Sequence, residues 1–102
     1  MNSSKSINRR LDWTAAAVKD RKAIWDYIAI VEFSPFNAAL VEARILQTAD
    51  RLSHFPLSGK PFSNNLRLAF ITKTKFTIVY SVLPNSIRIL RIAHQKKEFP
   101  IS

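Results

Sequence analysis

Apolar residues recur at helical spacing in the first half of the chain and at alternating spacing in the second half. The pattern predicts a first helix over residues 15 to about 33 and a second over residues 35 to about 53. The predicted apolar stripe of the first helix is Ala17, Ile24, Ile28 and Val31, with Val18 and Trp25 beside it. The stripe of the second is Ala38, Val41, Ile45, Ala49 and Leu52.

Polar residues mark where both helices begin. Thr14 precedes the first helix and can accept a hydrogen bond from a free N–H of the first turn. Ser34 followed by Pro35 is a second start signal, because proline at the first helical position loses no hydrogen bond. Two helices of similar length with so short a connection predict an antiparallel helical hairpin.

Strand patterns follow a loop over residues 54–65, which holds the only glycine, Gly59. Residues 66–72, 76–83 and 87–93 are rich in β-branched and aromatic side chains, and residues 84–86 form a tight turn between the last two. A short first strand is expected near residues 9–13. We therefore predict an α+β fold in the order β-α-α-β-β-β, with the helical hairpin on one face of a small, mainly antiparallel sheet.

Length and composition restrict the class of protein. A chain of 102 residues with an apolar fraction of 47% suits one domain, over residues 1–102, with a flexible segment at residues 1–8. No cysteine is present, which excludes disulfides and thiol chemistry, and a single glycine excludes a glycine-rich phosphate loop. No signal peptide or membrane-spanning stretch is evident, so we expect a soluble cytoplasmic protein.

Positive charge is concentrated in the second half. The formal net charge is +9, and residues 60–102 contain eight basic residues and one acidic residue. Residues 12–59 contain five basic and six acidic residues and are nearly neutral. Such segregation favours an acidic or polyanionic partner for the predicted sheet and tail.

Several short motifs are similar to those of the RelE/ParE superfamily of toxins from bacterial type II toxin–antitoxin modules. The family pattern Ala-x-x-Asp-Leu-x-x-Ile-x-x-Tyr-Ile is matched at Ala17, Asp20, Ile24, Tyr27 and Ile28, with Arg21 in place of the Leu. The start of the second helix resembles the family pattern Pro-x-x-Ala, at Pro35 and Ala38. The segment that follows the helix resembles the pattern Leu-x-x-x-Pro-x-x-Gly-[Arg/Lys]-Pro, at Leu52, Pro56, Gly59, Lys60 and Pro61. The strands resemble the family's at Leu66-Arg67, at residues 78–80 and at residues 89–94, followed by a basic tail.

The resemblance implies a small toxin that an acidic, partly disordered antitoxin neutralises. It spans about residues 10 to 100. A basic surface suits such an antitoxin, and it also suits a ribosome or RNA surface. The residues predicted to bind the target or the antitoxin are Lys60, Arg67, Lys73, Lys75, Arg91, Lys96 and Lys97.

The resemblance also implies two different activities. RelE-type members cut mRNA on the ribosome, by a reaction in which the 2′-hydroxyl attacks the adjacent phosphate and cations stabilise the developing charge. In many of them an arginine lies at the position of Thr77, so this chain departs from the usual catalytic set. If the chain is an endonuclease, Arg67, Arg91 and His94 are its candidate catalytic residues, with no metal and no cofactor.

Three functions remain open. The first is ParE-like inhibition of DNA gyrase by protein contact, for which an arginine at position 77 is unnecessary. The second is a RelE-like, ribosome-dependent mRNA endonuclease, and the third is a non-toxic, basic nucleic-acid-binding module. For Arg91, we favour a side chain that faces the open side of the sheet over one that pairs with a carboxylate. Arg67 is equally compatible with anchoring the antitoxin or a loop. We expect Tyr80, Trp13 and Trp25 to be core residues.

Overall fold

A computed structural model describes residues 8–95. The elements are β1 (Arg10–Trp13), α1 (Ala15–Asp26), a π-helical turn (Tyr27–Val31), α2 (Pro35–His54), β2 (Lys60–Pro61), β3 (Arg67–Phe70), β4 (Phe76–Val82) and β5 (Ser86–His94). The strands form one sheet in the order β1-β5-β4-β3-β2, in which only the β1–β5 pair is parallel. The predicted α+β fold is confirmed. Within residues 8–95, no helix is both long and apolar enough to cross a membrane.

The core lies between the helical hairpin and one face of the sheet. On β4 and β5, the register places Ile78 beside Ile92 and Tyr80 beside Ile89. These four side chains have no measurable exposure and belong to the same apolar cluster as the helix residues. The predicted stripe of α2 is confirmed, with Ala38, Ile45, Ala49 and Leu52 buried and Val41 partly buried.

The end of the first helix differs from the prediction. The α-helix stops at Asp26, a π-helical turn follows, and Phe33 then adopts a left-handed backbone with φ of 54°. A π turn holds more residues than an α turn, so the residues after it no longer follow the 3.6-residue spacing. Val31 is consequently 58% exposed, and its predicted place in the buried stripe is wrong.

Both predicted helix caps are present. The Thr14 hydroxyl accepts a hydrogen bond from the Ala17 N–H at 3.1 Å and donates one to the Leu90 carbonyl at 2.9 Å. The Ser34 hydroxyl accepts from the Asn37 N–H at 3.3 Å. Thr14 therefore joins the start of α1 to β5, whereas Ser34 makes only the local bond.

Removal of these two hydroxyls should have unequal effects. We expect Thr14→Ala to lower the free energy of unfolding by about 2 kcal/mol, because the cap and the bond to β5 are lost together. Ser34→Ala should cost about 0.5–1 kcal/mol, since only an exposed cap is removed. Urea unfolding followed by tryptophan fluorescence measures both. Equal losses would show that the Leu90 bond contributes nothing.

An arginine ties the two helices together where the family pattern has leucine. The Arg21 guanidinium lies 4.6 Å from the centroid of the Trp13 ring and forms an ion pair with Glu42 of α2. Its side chain thus covers the partly buried Trp13, consistent with the predicted core role of that residue. Trp25 is 37% exposed, so its prediction as a core residue is wrong. It follows the buried Ile24 and does not belong to the apolar cluster of the core.

The loop after α2 packs against the sheet through Tyr80. Its hydroxyl donates to the Pro56 carbonyl at 2.8 Å and accepts from the Gly59 N–H at 3.0 Å. The predicted core position of Tyr80 is confirmed, and its polar end satisfies two backbone groups of the loop. The loop also contributes β2, a two-residue strand that the sequence pattern did not reveal.

Candidate functional site

The structure separates the predicted functional residues instead of collecting them in one site. Lys60 and Arg67 lie on neighbouring strands β2 and β3, towards one edge of the sheet. Arg91 lies on β5 against α1. Lys73, Lys75 and His94 lie together at the end of the sheet where the β3–β4 connection meets the end of β5. Lys96 and Lys97 lie outside the described residues.

Arg91 forms a two-point ion pair with Asp20 of α1. Its Nε donates to the carboxylate at 2.8 Å and its second nitrogen donates at 2.9 Å, and the Ile92 N–H donates to the same carboxylate at 2.9 Å. The Asp20 side chain is 5% exposed and that of Arg91 is 24% exposed. The expectation that Arg91 faces the open side of the sheet, with no carboxylate partner, is therefore wrong.

The ion pair exists because β1 is shorter than β5. β1 pairs with β5 as far as Ile89, and the next part of the β5 edge has no strand beside it. The Thr14 hydroxyl donates to the Leu90 carbonyl, and the Asp20 carboxylate accepts from the Ile92 N–H. The N-cap and one side chain of α1 thus provide the hydrogen bonds that a neighbouring strand would otherwise make. The hydrogen bonds from Arg91 to Asp20, helped by the negative charge, raise the pKa of Arg91 against the opposing effect of burial.

Arg67 holds the loop that follows α2. Its guanidinium donates to the Gly59 carbonyl at 2.8 Å and to the Leu57 carbonyl at 3.1 Å. Its Nε is buried and has no hydrogen-bond partner within residues 8–95. The register places Arg67 beside Tyr80, so the two residues fasten the same loop from adjacent strands. For Arg67, the structure thus shows the loop-anchoring role that the sequence left open beside the catalytic one.

Loss of the Arg67 contacts should loosen the loop before it affects the core. We expect Arg67→Met to raise hydrogen exchange of backbone amides in residues 57–62 about tenfold, because two carbonyl contacts are lost while the apolar stem is kept. Lys60→Met is the matched control, since it removes one exposed cation of β2 and no hydrogen bond from this set. Exchange measured by mass spectrometry separates the two. Unchanged exchange in Arg67→Met would contradict the anchoring role.

His94 lies at the basic end of the sheet, which we define as Lys73, Lys75 and His94. Its ring meets the edge of the Phe76 ring, with centroids 5.4 Å apart at an interplanar angle of 85°. The Gln95 N–H donates to the Lys75 carbonyl at 2.7 Å, which closes this end of the β4–β5 pair. Lys73 and Lys75 are exposed, and Lys73 has a left-handed backbone with φ of 63°. The basic end presents cations at a position suited to an acidic partner.

Thr77 occupies the position at which the resemblance implies an arginine in many endonucleases, and a threonine supplies no guanidinium. Thr77 is 6% exposed and lies between Phe70 and Ala93 on the adjacent strands. The exposed Arg88, which the sequence reasoning did not select, lies six residues before His94 on β5. That separation corresponds to about 20 Å along a strand. Among the described residues, no cluster of acidic or histidine side chains could hold a metal ion.

The comparisons with known proteins agree with this architecture. The family model of the ParE toxin of the type II toxin–antitoxin system parDE matches residues 11–99. The chain belongs to the ParE toxin family. It is thus the toxin component of a type II toxin–antitoxin system within the RelE/ParE superfamily, as the motifs predicted.

Individual relatives carry both family names. The chain is 34% identical over 82 residues to Toxin RelE2 of Caulobacter vibrioides, covering 80% of this chain and 90% of the relative. The chromosomal ParDE toxin–antitoxin system of P. aeruginosa contains a chain of similar structure, with a TM-score of 0.76 and 26% identity, covering 89% of this chain and 98% of that one. A chain of the RelBE2 toxin–antitoxin complex of Mycobacterium tuberculosis shares the fold at a TM-score of 0.66 and 18% identity, over 89% of this chain and 95% of that one.

Proposed function

We propose that this ParE-family toxin inhibits DNA gyrase through a protein–protein contact and does not cleave RNA. One observation carries the proposal: the two arginines that an endonuclease mechanism would need are engaged in contacts within the fold. Arg91 is held by the Asp20 carboxylate, and Arg67 is held by loop carbonyls. These contacts make both guanidinium groups less available to a phosphorane, and Thr77 supplies no third one.

We further propose that an acidic antitoxin neutralises the toxin by binding its cationic residues. The similar P. aeruginosa chain belongs to a ParDE system, which supports a protein antitoxin for this chain as well. The candidate contacts are three exposed lysines of the second half, Lys60, Lys73 and Lys75, together with Lys96 and Lys97 of the tail. Clustered positive charge accelerates association with an acidic segment and makes it sensitive to salt.

Induction of the toxin in growing bacteria separates gyrase inhibition from RNA cleavage. Gyrase inhibition should relax a reporter plasmid within minutes, and primer extension on the same cultures should show no new mRNA 5′ ends. Codon-spaced mRNA ends with unchanged plasmid topology would overturn the proposal in favour of a RelE-like endonuclease. Unimpaired growth with neither effect would favour the non-toxic nucleic-acid-binding module.

A further inference from the structure

A polar groove lies between α2 and the β3–β4 connection, on a part of the molecule that the candidate site does not use. Its lining residues are Arg44, Gln47, Thr48, Arg51 and Thr72. The groove has a volume of about 360 Å³ and is open to solvent. Four of its five residues come from successive turns of one helix face, and the fifth, Thr72, comes from the β3–β4 connection.

The two arginines of the groove differ from the other arginines that join elements of the fold. Within residues 8–95, the guanidinium groups of Arg44 and Arg51 make no hydrogen bond or ion pair, whereas those of Arg21 and Arg91 hold carboxylates. The one acidic residue of α2 besides Asp50 is Glu42, which pairs with Arg21. Within the part of the chain that the structure describes, neither groove arginine forms an ion pair with Asp50 or with any other carboxylate.

The spacing of the groove residues suits a chain of phosphates. Arg44 and Arg51 are seven residues apart on α2, which places their Cα atoms about 10 Å apart along one face. Gln47 lies between them with an exposed amide, and Thr72 adds an exposed hydroxyl from across the groove. The Thr48 hydroxyl donates to the Arg44 carbonyl at 2.8 Å and is therefore not a free donor. Lys73 continues the chain directly after Thr72 and adds a further exposed cation.

The side chains that line the groove favour a nucleic acid over a protein segment as its ligand. All five side chains are polar, and none of them is an apolar or aromatic anchor of the type that dominates protein–protein contacts. Arginine, glutamine and threonine side chains are typical donors to phosphate oxygens of a nucleic-acid backbone. We propose that this groove binds the phosphodiester backbone of a nucleic acid. The site is independent of the proposed function, since it needs neither gyrase nor an antitoxin.

Binding of a fluorescent 20-nucleotide probe by the purified full chain tests the groove. Fluorescence anisotropy is measured from 50 to 200 mM salt with duplex DNA and with single-stranded RNA, which distinguish the two sources of phosphodiester. We expect Arg44→Ala/Arg51→Ala to weaken binding on the order of tenfold to a hundredfold at the lowest salt. The slope of log affinity against log salt should fall by about two, one for each lost phosphate contact.

The matched control removes the same amount of charge from another surface. Lys19→Ala/Lys22→Ala takes two exposed cations from α1, neither of which lines the groove, and should weaken binding less than threefold. Circular dichroism confirms that both double variants are folded. Equal weakening by the two double variants would overturn the site as a simple net-charge effect. Absence of probe binding by the wild type, or stronger competition by polyglutamate than by unlabelled nucleic acid, would also overturn it.

Discussion

Replacing Asp20 by alanine is expected to destabilise the fold by about 2–4 kcal/mol, because it leaves Arg91 without its carboxylate. The same change removes the acceptor of the Ile92 N–H on the open edge of β5. Loss of a partner from a largely buried ion pair costs more than the pair itself contributes, since the remaining charge stays desolvated. The partial exposure of Arg91 keeps the expected loss below the upper end of the range for fully buried pairs.

Urea unfolding at constant pH measures this loss, with Asp26→Ala as the matched control. Asp26 pairs with Lys22 at 2.9 Å on the exposed side of α1, so its removal should cost only about 0.3–0.5 kcal/mol. Asp20→Leu/Arg91→Met should recover part of the stability that Asp20→Ala loses, because no charge is then left unpaired. A loss for Asp20→Ala no larger than that of Asp26→Ala would contradict the structural role of the pair.

The same pair makes a prediction about pH. Because the pKa of Arg91 is raised in the folded state, its contribution is complete below the ordinary arginine pKa and is lost only as the pH rises through the higher folded value. The Arg91 contribution should therefore stay constant between pH 6 and 9. Stability curves of the wild type and Asp20→Leu/Arg91→Met, which leaves no charge unpaired, should run parallel over that range.

Replacing Gly59 by alanine is expected to cost about 3 kcal/mol, because no space exists for a Cβ atom. An added Cβ would lie 2.5 Å from the Tyr80 Oη and 2.6 Å from the Leu68 carbonyl oxygen. The expected cost does not come from the backbone conformation, since Gly59 does not have a positive φ. The buried Tyr80 ring and the β3 backbone cannot move away without breaking the contacts that fix the loop, so the loop must be displaced.

Two further variants serve as comparisons for Gly59→Ala: one at an exposed neighbour and one that removes the hydrogen bonds of the loop. Ser58→Ala changes the exposed preceding residue and should alter the free energy of unfolding by less than about 0.5 kcal/mol. Tyr80→Phe keeps the ring and removes both loop hydrogen bonds, which should cost about 1–3 kcal/mol because two backbone groups lose their partner. If Gly59→Ala were as stable as the wild type, the close packing of this loop would be disproved.

Local patterns were sufficient to predict the elements of the fold. The apolar stripe of α2, the caps at Thr14 and Ser34 and the tight turn between β4 and β5 each depend on residues close in the sequence. The predicted core position of Tyr80 is also confirmed. The Lys22–Asp26 pair was predictable for the same reason, since its partners are one helical turn apart.

The functional interpretation of single residues depended on contacts that local patterns do not encode. Asp20 and Arg91 are 71 positions apart, and their pairing follows from the short length of β1. One signal was nevertheless present: Asp20 lies between Ala17 and Ile24 on the buried stripe, and a carboxylate at such a position requires a cation or backbone donors. The exposure of Val31 could not be foreseen, because the π turn is invisible to a 3.6-residue pattern.

The distribution of accessible positive charge in the structure also differs from its distribution along the sequence. In the sequence, Arg44 and Arg51 belong to the nearly neutral half, whereas the structure places them around Thr72, next to the cationic β3–β4 connection. Conversely, Arg67 and Arg91 belong to the basic half but are used within the fold. Net charge per segment therefore overestimates the cations available on the sheet and underestimates those available on α2.

DNA supercoiling by purified gyrase tests the central claim most directly. Relaxed plasmid, ATP and gyrase are combined with increasing amounts of the purified toxin, in a reaction that contains no ribosomes and no RNA. We predict that supercoiling stops once the toxin is in slight molar excess over gyrase, and that Lys19→Ala/Lys22→Ala inhibits as well as the wild type. Full supercoiling at a large excess of folded toxin that still arrests bacterial growth would contradict the account.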